Sequence, residues 1–132
     1  MTRPFTFTLM DYLEARCSEL GLKVPDLEWL TPEGYSIAVI QNDAPSIEKS
    51  YINGSNQYRC QYEIIAQGST AERLTILEDM QLLATVFNGM VGNDIGDGTA
   101  VRKVELTTPS LREQTDSLHL RYGFAVTIVY KD

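Results

Sequence analysis

Histidine and cysteine are almost missing from this chain. His119 is the only imidazole, and Cys17 and Cys60 are the only thiols, among 132 residues. A Ser/His/Asp or Cys/His arrangement would need His119 beside Cys17, Cys60 or a serine, with a carboxylate to orient it. Nothing in the sequence places such groups together, and on a strand His119 would share a face with Arg121, opposite an apolar row, as a surface or interface histidine. The two cysteines lack CxxC spacing and enough partners for a structural metal, so they read as buried free thiols in a reducing cytoplasm. Positive charge is also scarce. Eleven Lys and Arg against eighteen Asp and Glu give a net charge of -7, which repels a phosphate backbone unless a local basic patch outweighs it. No sequence-specific nucleic-acid partner is expected. The longest apolar stretches, such as Ile37-Ala38-Val39-Ile40, fall far short of the roughly 20 residues that span a bilayer. The N-terminus has no apolar signal core. Neither a membrane nor a secretion route is expected. GxxxxGK[ST] and GxGxxG are both missing, so nucleotide binding has no motif and no cofactor is expected.

What is present is the composition of a folded domain: 43% hydrophobic and 22% charged residues, with one core over residues 1–132. Phe5, Leu9, Met10, Leu13, Cys17 and Leu20 recur at helical steps and Gly21 follows, which predicts a helix over 5–20. Val24-Pro25 through Thr31-Pro32-Glu33-Gly34 is a proline-punctuated connector whose Leu27, Trp29 and Leu30 should tuck under the core. Tyr35 to Ile40 reads as a short strand covered on both faces. Residues 41–56 read as a long polar loop or arm with Asn53-Gly54 as its turn; Asn53-Gly54-Ser55 also matches a glycosylation sequon, read here only as that turn. From 57 to 67, Tyr58, Cys60, Tyr62, Ile64 and Ala66 alternate with Arg59, Gln61, Glu63 and Gln67, a strand with one wetter face.

Ser69-Thr70-Ala71-Glu72 is a capping box, and Leu74, Leu77, Met80, Leu83, Ala84 and Phe87 carry a second helix to Gly89. Residues 88–99 hold four glycines and no periodicity, a flexible loop. Ala100–Leu106 and Leu118–Tyr130 are two strands around a loop at 107–117, and the second, an unbroken apolar row on one face, should be central. The order α-β-β-α-β-β predicts an α+β fold: one domain, a mixed or antiparallel four-stranded sheet with two helices packed on one face. No internal repeat is apparent.

Candidate chemistry is thin. Asn93, Asp94 and Asp97 could offer hard oxygens to Ca²⁺, but a calcium loop starting at Asp94 needs an oxygen side chain at position 96, which is glycine, and Glu105 alone does not replace it. Glu78 and Asp79 are adjacent on a helix, diverge by about 100° and cannot face one substrate. Tyr58, Tyr62, Arg59 and Arg121 resemble an aromatic-basic platform for single strands, yet the net charge favours core packing for the tyrosines. Charge is uneven along the chain: residues 1–98 carry six basic and fourteen acidic side chains, residues 99–132 five and four.

One resemblance goes further. A helix containing Phe, Thr and Leu and ending at Leu20-Gly21-Leu22, then Ala44-Pro45, Tyr51-Ile52-Asn53-Gly54-Ser55, the strand Tyr58-Arg59-Cys60-Gln61-Tyr62-Glu63-Ile64 and the capped helix at Ser69-Thr70-Ala71-Glu72-Arg73 resemble the minor capsid and tail-terminator proteins of siphophages, especially of Gram-positive hosts. The similarity spans roughly residues 5–90. It implies a non-enzymatic virion protein of the tail and neck, assembled in the bacterial host cytoplasm. Such a protein forms a ring, commonly six-fold, that ends the tail tube and joins it to a head completion protein. Rings need heterologous interfaces, and the expected contacts lie in the three long loops and on the basic strand: Tyr51, Asn53, Asn93, Asp94, Asp97, Arg102, Lys103 and Arg112. The alternative is a small α+β enzyme or small-ligand-binding domain without a recognisable motif, which a deep polar pocket near His119 would favour.

Overall fold

The structure is a computed structural model that describes residues 4–28, 30, 34–42, 44–96, 98–116 and 119–131. Helix α1 spans Phe5–Leu20 and buries Phe5, Leu9, Leu13 and Cys17 on one stripe; Gly21, at φ 71°, closes it. The connector contributes strand β1, Asp26–Leu27, parallel to β2, Ser36–Gln41. Leu27 and Leu30 are half-buried, while Trp29 lies outside the described residues. The first four residues of β2 are all buried, as expected for a strand covered on both faces.

The framework is a pair of 13-residue antiparallel strands, β4 (Asn56–Gly68) and β7 (His119–Lys131). Each is flanked on its outer side by two short strands laid end to end. β2 and β3 (Ser46–Ser50) together run along β4. β5 (Ala100–Leu106) and β6 (Ser110–Asp116) together run along β7. Even-numbered residues of β4 and β7 face α1 and α2 (Arg73–Asn88), and Tyr62, Ile64, Leu120, Phe124 and Ile128 are buried there with Leu9, Leu13, Met80 and Phe87. The fold is α+β, with two helices on one face of a mixed sheet of seven strands rather than the expected four, in the order α-β-β-β-β-α-β-β-β, because the outer strands are broken and the connector adds β1.

That order repeats: a 16-residue helix, a broken strand, then a 13-residue strand, twice. Each break ends in proline-serine-aliphatic, Pro45-Ser46-Ile47 and Pro109-Ser110-Leu111. Proline has no N–H to give the ladder, so the same device interrupts both outer strands. The repeat escapes a reading of hydrophobic period because the helices and long strands differ in sequence.

Two segments expected as loops therefore contain strands. β3 lies inside 41–56 and β6 inside 107–117. β3 is exposed at every residue, so it shows no apolar alternation; its backbone ladder to β4 holds it instead. The glycine-rich segment 88–99 is a hydrogen-bonded turn rather than an open loop. The Gly92 N–H donates to the Val101 carbonyl at 2.8 Å, Val101 returns to Asn93 at 3.0 Å, and Thr99 donates to Gly96 at 2.9 Å. Of the two options a glycine cluster allows, mobility or special backbone, the second is realised: Gly92, Gly96 and Gly98 all hold positive φ.

The α2 stripe matches expectation except at its first residue. Ile76, Met80, Leu83, Val86 and Phe87 are buried, whereas Leu74 is 73% exposed and Leu77 and Ala84 are half-buried. A 3₁₀ turn, Thr70–Glu72, precedes the helix. Glu72 accepts from the Ser69 backbone N–H and from its hydroxyl, both at 3.0 Å, so the capping pair is formed. Ser69→Ala should lower stability by about 1 kcal/mol. An unchanged urea midpoint would show that the 3₁₀ turn anchors α2 without it.

Candidate assembly surfaces

The helix layer and the uncovered face of the sheet differ in charge. On α1, the 3₁₀ turn and α2, Asp11, Glu14, Glu19, Glu72, Glu78 and Asp79 stand against Arg16 and Arg73. On the uncovered face the balance reverses: Arg59, Lys103, Arg112, Arg121 and Lys131 outnumber Glu63, Glu105 and Glu113. These positions fall on the odd register of β4 and β7 or pair with it, apart from Arg112, which sits at a β6 bulge and reaches across. The charge division along the sequence becomes a division between layers because the basic C-terminal residues lie on β5, β6 and β7.

The uncovered face is laced by side-chain pairs, most of them between strands. Arg112 crosses over Gly123 to Glu63 at 3.3 Å. Arg121 donates to Gln67 at 2.9 Å and reaches Glu113 at 3.4 Å. Lys103 holds Glu105 at 2.8 Å, and that hydrogen bond keeps the Glu105 carboxyl below its ordinary range. The Arg121–Glu113 and Lys103–Glu105 pairs are exposed, whereas Glu63 is half-buried and Gln67 buried; exposed ion pairs add little to stability, so these order the face more than they stabilise the fold.

The expected contact residues fall in two places. Gln57, Lys131 and Ala100 form one lateral row across β4, β7 and β5. This brings the Tyr51–Asn53 turn, the Asn93–Asp94 turn, Arg102 and Lys103 to one end of the sheet. Arg112 lies on the other half, and Asp97 lies outside the described residues. At the shared end Lys131 sits 4.4 Å from the centroid of the Tyr51 ring. Asn53 accepts from the Ser55 backbone at 3.1 Å and from its hydroxyl at 2.8 Å, fixing the tight turn. The Asp94 carboxylate is engaged by the Gly96 N–H at 2.8 Å. Among the described residues no group of three metal-ligating side chains comes together.

Sequence reasoning missed the apolar side chains that these surfaces expose. Ile52 is fully exposed at the β3–β4 turn, Ile47 is 59% exposed, and Leu74 and Leu82 face outward on α2. The available signal for Ile52 was its place beside Asn53-Gly54, since a residue at a tight turn has no strand neighbour to cover it.

Both thiols are buried, and two phenols are tied into hydrogen bonds. Cys17 and Cys60 are free and buried. Burial pushes both thiols up, Cys60 to about 11, so both are protonated and unreactive near neutrality. Tyr62 is fully buried, its hydroxyl 2.8 Å from Thr6, which donates to Gln41 at 2.7 Å. That chain ties the first turn of α1 to β2 and β4. Desolvation raises the Tyr62 phenol above its ordinary value. Tyr35 donates to Asp79 at 2.6 Å, pinning the connector to α2, and its phenol is raised by burial and by that carboxylate. The polar pocket considered near His119 falls on a side chain outside the described residues. No helix of the described residues is long and apolar enough to cross a membrane. Comparison of the sequence with protein-family models and with curated proteins finds no match.

Proposed function

We propose that this chain is a structural subunit of a phage virion, a tail terminator that closes into a ring at the head-proximal end of the tail and joins it to the head. The observation that carries the reading is the charge division between the two layers of the fold, alongside the resemblance of residues 5–90 to tail-terminator proteins. A subunit with an acidic layer and a more basic face meets copies of itself through unlike surfaces, and unlike surfaces generate rings when the rotation closes. Its partners on this reading are further copies of itself in a six-fold ring, together with the tail tube protein and a head completion protein, and it catalyses no reaction.

Exposed charges are screened beyond about 10 Å at 0.1 M salt, so self-association should weaken from low to high salt. Reversing Arg102 and Lys103 together should reduce the ring population with the melting temperature unchanged, since both are exposed on β5. The deciding experiment is complementation of a phage lacking this gene. Tails of uncontrolled length, or tails unable to join heads, restored to normal by the chain in trans, support the role. Normal virions without the gene overturn it.

A further inference from the structure

Both outer edges of the sheet are interrupted, at Ile47/Lys49 on β3, at Val101/Lys103 on β5, and at Leu111/Glu113 and Gln114/Asp116 on β6. Bulged, charged edges resist adding another strand, so copies of this chain are more readily joined through projecting side chains than by extending the sheet. The β3–β4 hairpin is the projection that offers them. β3 is exposed at all five residues, and its tip carries Tyr51 and the fully exposed Ile52. The tip is stiff: Tyr51 donates to Ser55 at 2.9 Å and Gly54 to Tyr51 at 3.0 Å, and Lys131 covers one side of the Tyr51 ring. A stiff apolar tip loses little conformational entropy on binding.

A matching surface lies on α2. Leu74 and Leu82 are exposed and stand two turns apart on one stripe, with Glu78 between them. Beside them a shallow concavity of about 450 Å³ is lined by Glu78, Gln81, Leu82 and Thr85, a size that accommodates a few side chains. Lys49 and Lys131 flank the hairpin tip, where Glu48 accepts from Gln57, and Glu78 lines the concavity, so an apolar tip with basic flanks faces a hollow with an acidic lining.

We propose that the Tyr51–Ile52 tip docks in the α2 concavity of a second copy of this chain, with Lys49 of the arm facing Glu78 of the neighbour. Arm and concavity are different surfaces, so each copy offers one to each neighbour, and the contact is heterologous. The inference rests on the ring-forming reading for its setting, but the contact is measurable on the purified chain alone.

The test is sedimentation of Ile52→Asp and Leu82→Asp beside the parent chain. Each should weaken self-association at least tenfold while leaving the melting temperature unchanged, because both side chains are exposed. Lys49→Glu and Glu78→Lys should each weaken association, and the two changes together should restore it. Cysteine at position 52 in one preparation and at position 82 in another should cross-link on mixing under mild oxidation, the native thiols being buried. A parent chain that stays monomeric at millimolar concentration, or one whose association ignores Ile52→Asp and Leu82→Asp, overturns the docking. In the second case a ring built through other surfaces survives, and the phage complementation alone judges the virion role. Arm variants that weaken association in a chain that fails complementation leave the docking standing and remove the virion role.

Discussion

Phe124→Ala is expected to lower stability by about 3–5 kcal/mol, the range for emptying a fully buried aromatic site. Phe124 has no exposed surface and meets Phe87 edge to face, with ring centroids 6.0 Å apart. It thereby joins the central strand to α2 and loses both its transfer energy and an aromatic pair when truncated. Domains of this kind are stable by only about 5–15 kcal/mol, so the variant should unfold at a much lower urea concentration. Leu74→Ala is the contrast. Leu74 also belongs to the apolar pattern of α2, but at 73% exposure its truncation should stay within about 0.5 kcal/mol. Equal effects at the two positions would mean that α2 packs with a different face inward.

Gly123→Val is the second large effect expected, and its cause is backbone rather than side chain. Gly123 lies within β7, opposite Ile65 of β4 and Ser110 of β6. A Cβ there would come within 2.8 Å of the Ile64 carbonyl oxygen and 3.3 Å of the Arg112 side chain. Arg112 can swing aside cheaply. The carbonyl cannot, because β4 is paired on both sides at that point. Overpacking of this kind costs about 1–3 kcal/mol, so Gly123→Ala should fall in that range and Gly123→Val beyond it. Chemical denaturation of Gly123→Ala with and without Arg112→Ala separates the causes. Rescue by Arg112→Ala would show that the side chain, not the strand, sets the limit.

The arrangement of these residues bears on what the sequence reveals. Helix α1 appears at its expected bounds because its apolar residues recur every three or four positions and its end is marked by Gly21. The long strands appear because one of their faces is buried along most of its length, which writes alternation into β4 and β7. α2 was legible both in existence and in the face it buries from Leu77 to Phe87. Only Leu74, in its first turn, faces outward while Ile76 is buried, and the first turn of a helix offers too few residues to settle this from pattern alone. The expected contact residues were legible only as polar turns and a basic strand. That Tyr51, Asn53, Asn93, Asp94, Arg102 and Lys103 share one end of the sheet follows from the β4–β7–β5 register, a long-range property.

By itself the sequence determined both helices, β4 and β7, whose burial repeats at a fixed period, together with the continuous apolar run of β2 and the strand β5, and hence the α+β class. It also determined a net charge of -7. Tertiary structure alone decided the rest. β3 and β6 exist because a long neighbour offers a free row of backbone donors and acceptors, an interaction that leaves no side-chain period. The acidic layer and the more basic face exist because strand pairing places Arg59, Lys103, Arg112 and Arg121 together from distant positions, and the folded chain then holds apart charges that the sequence interleaves.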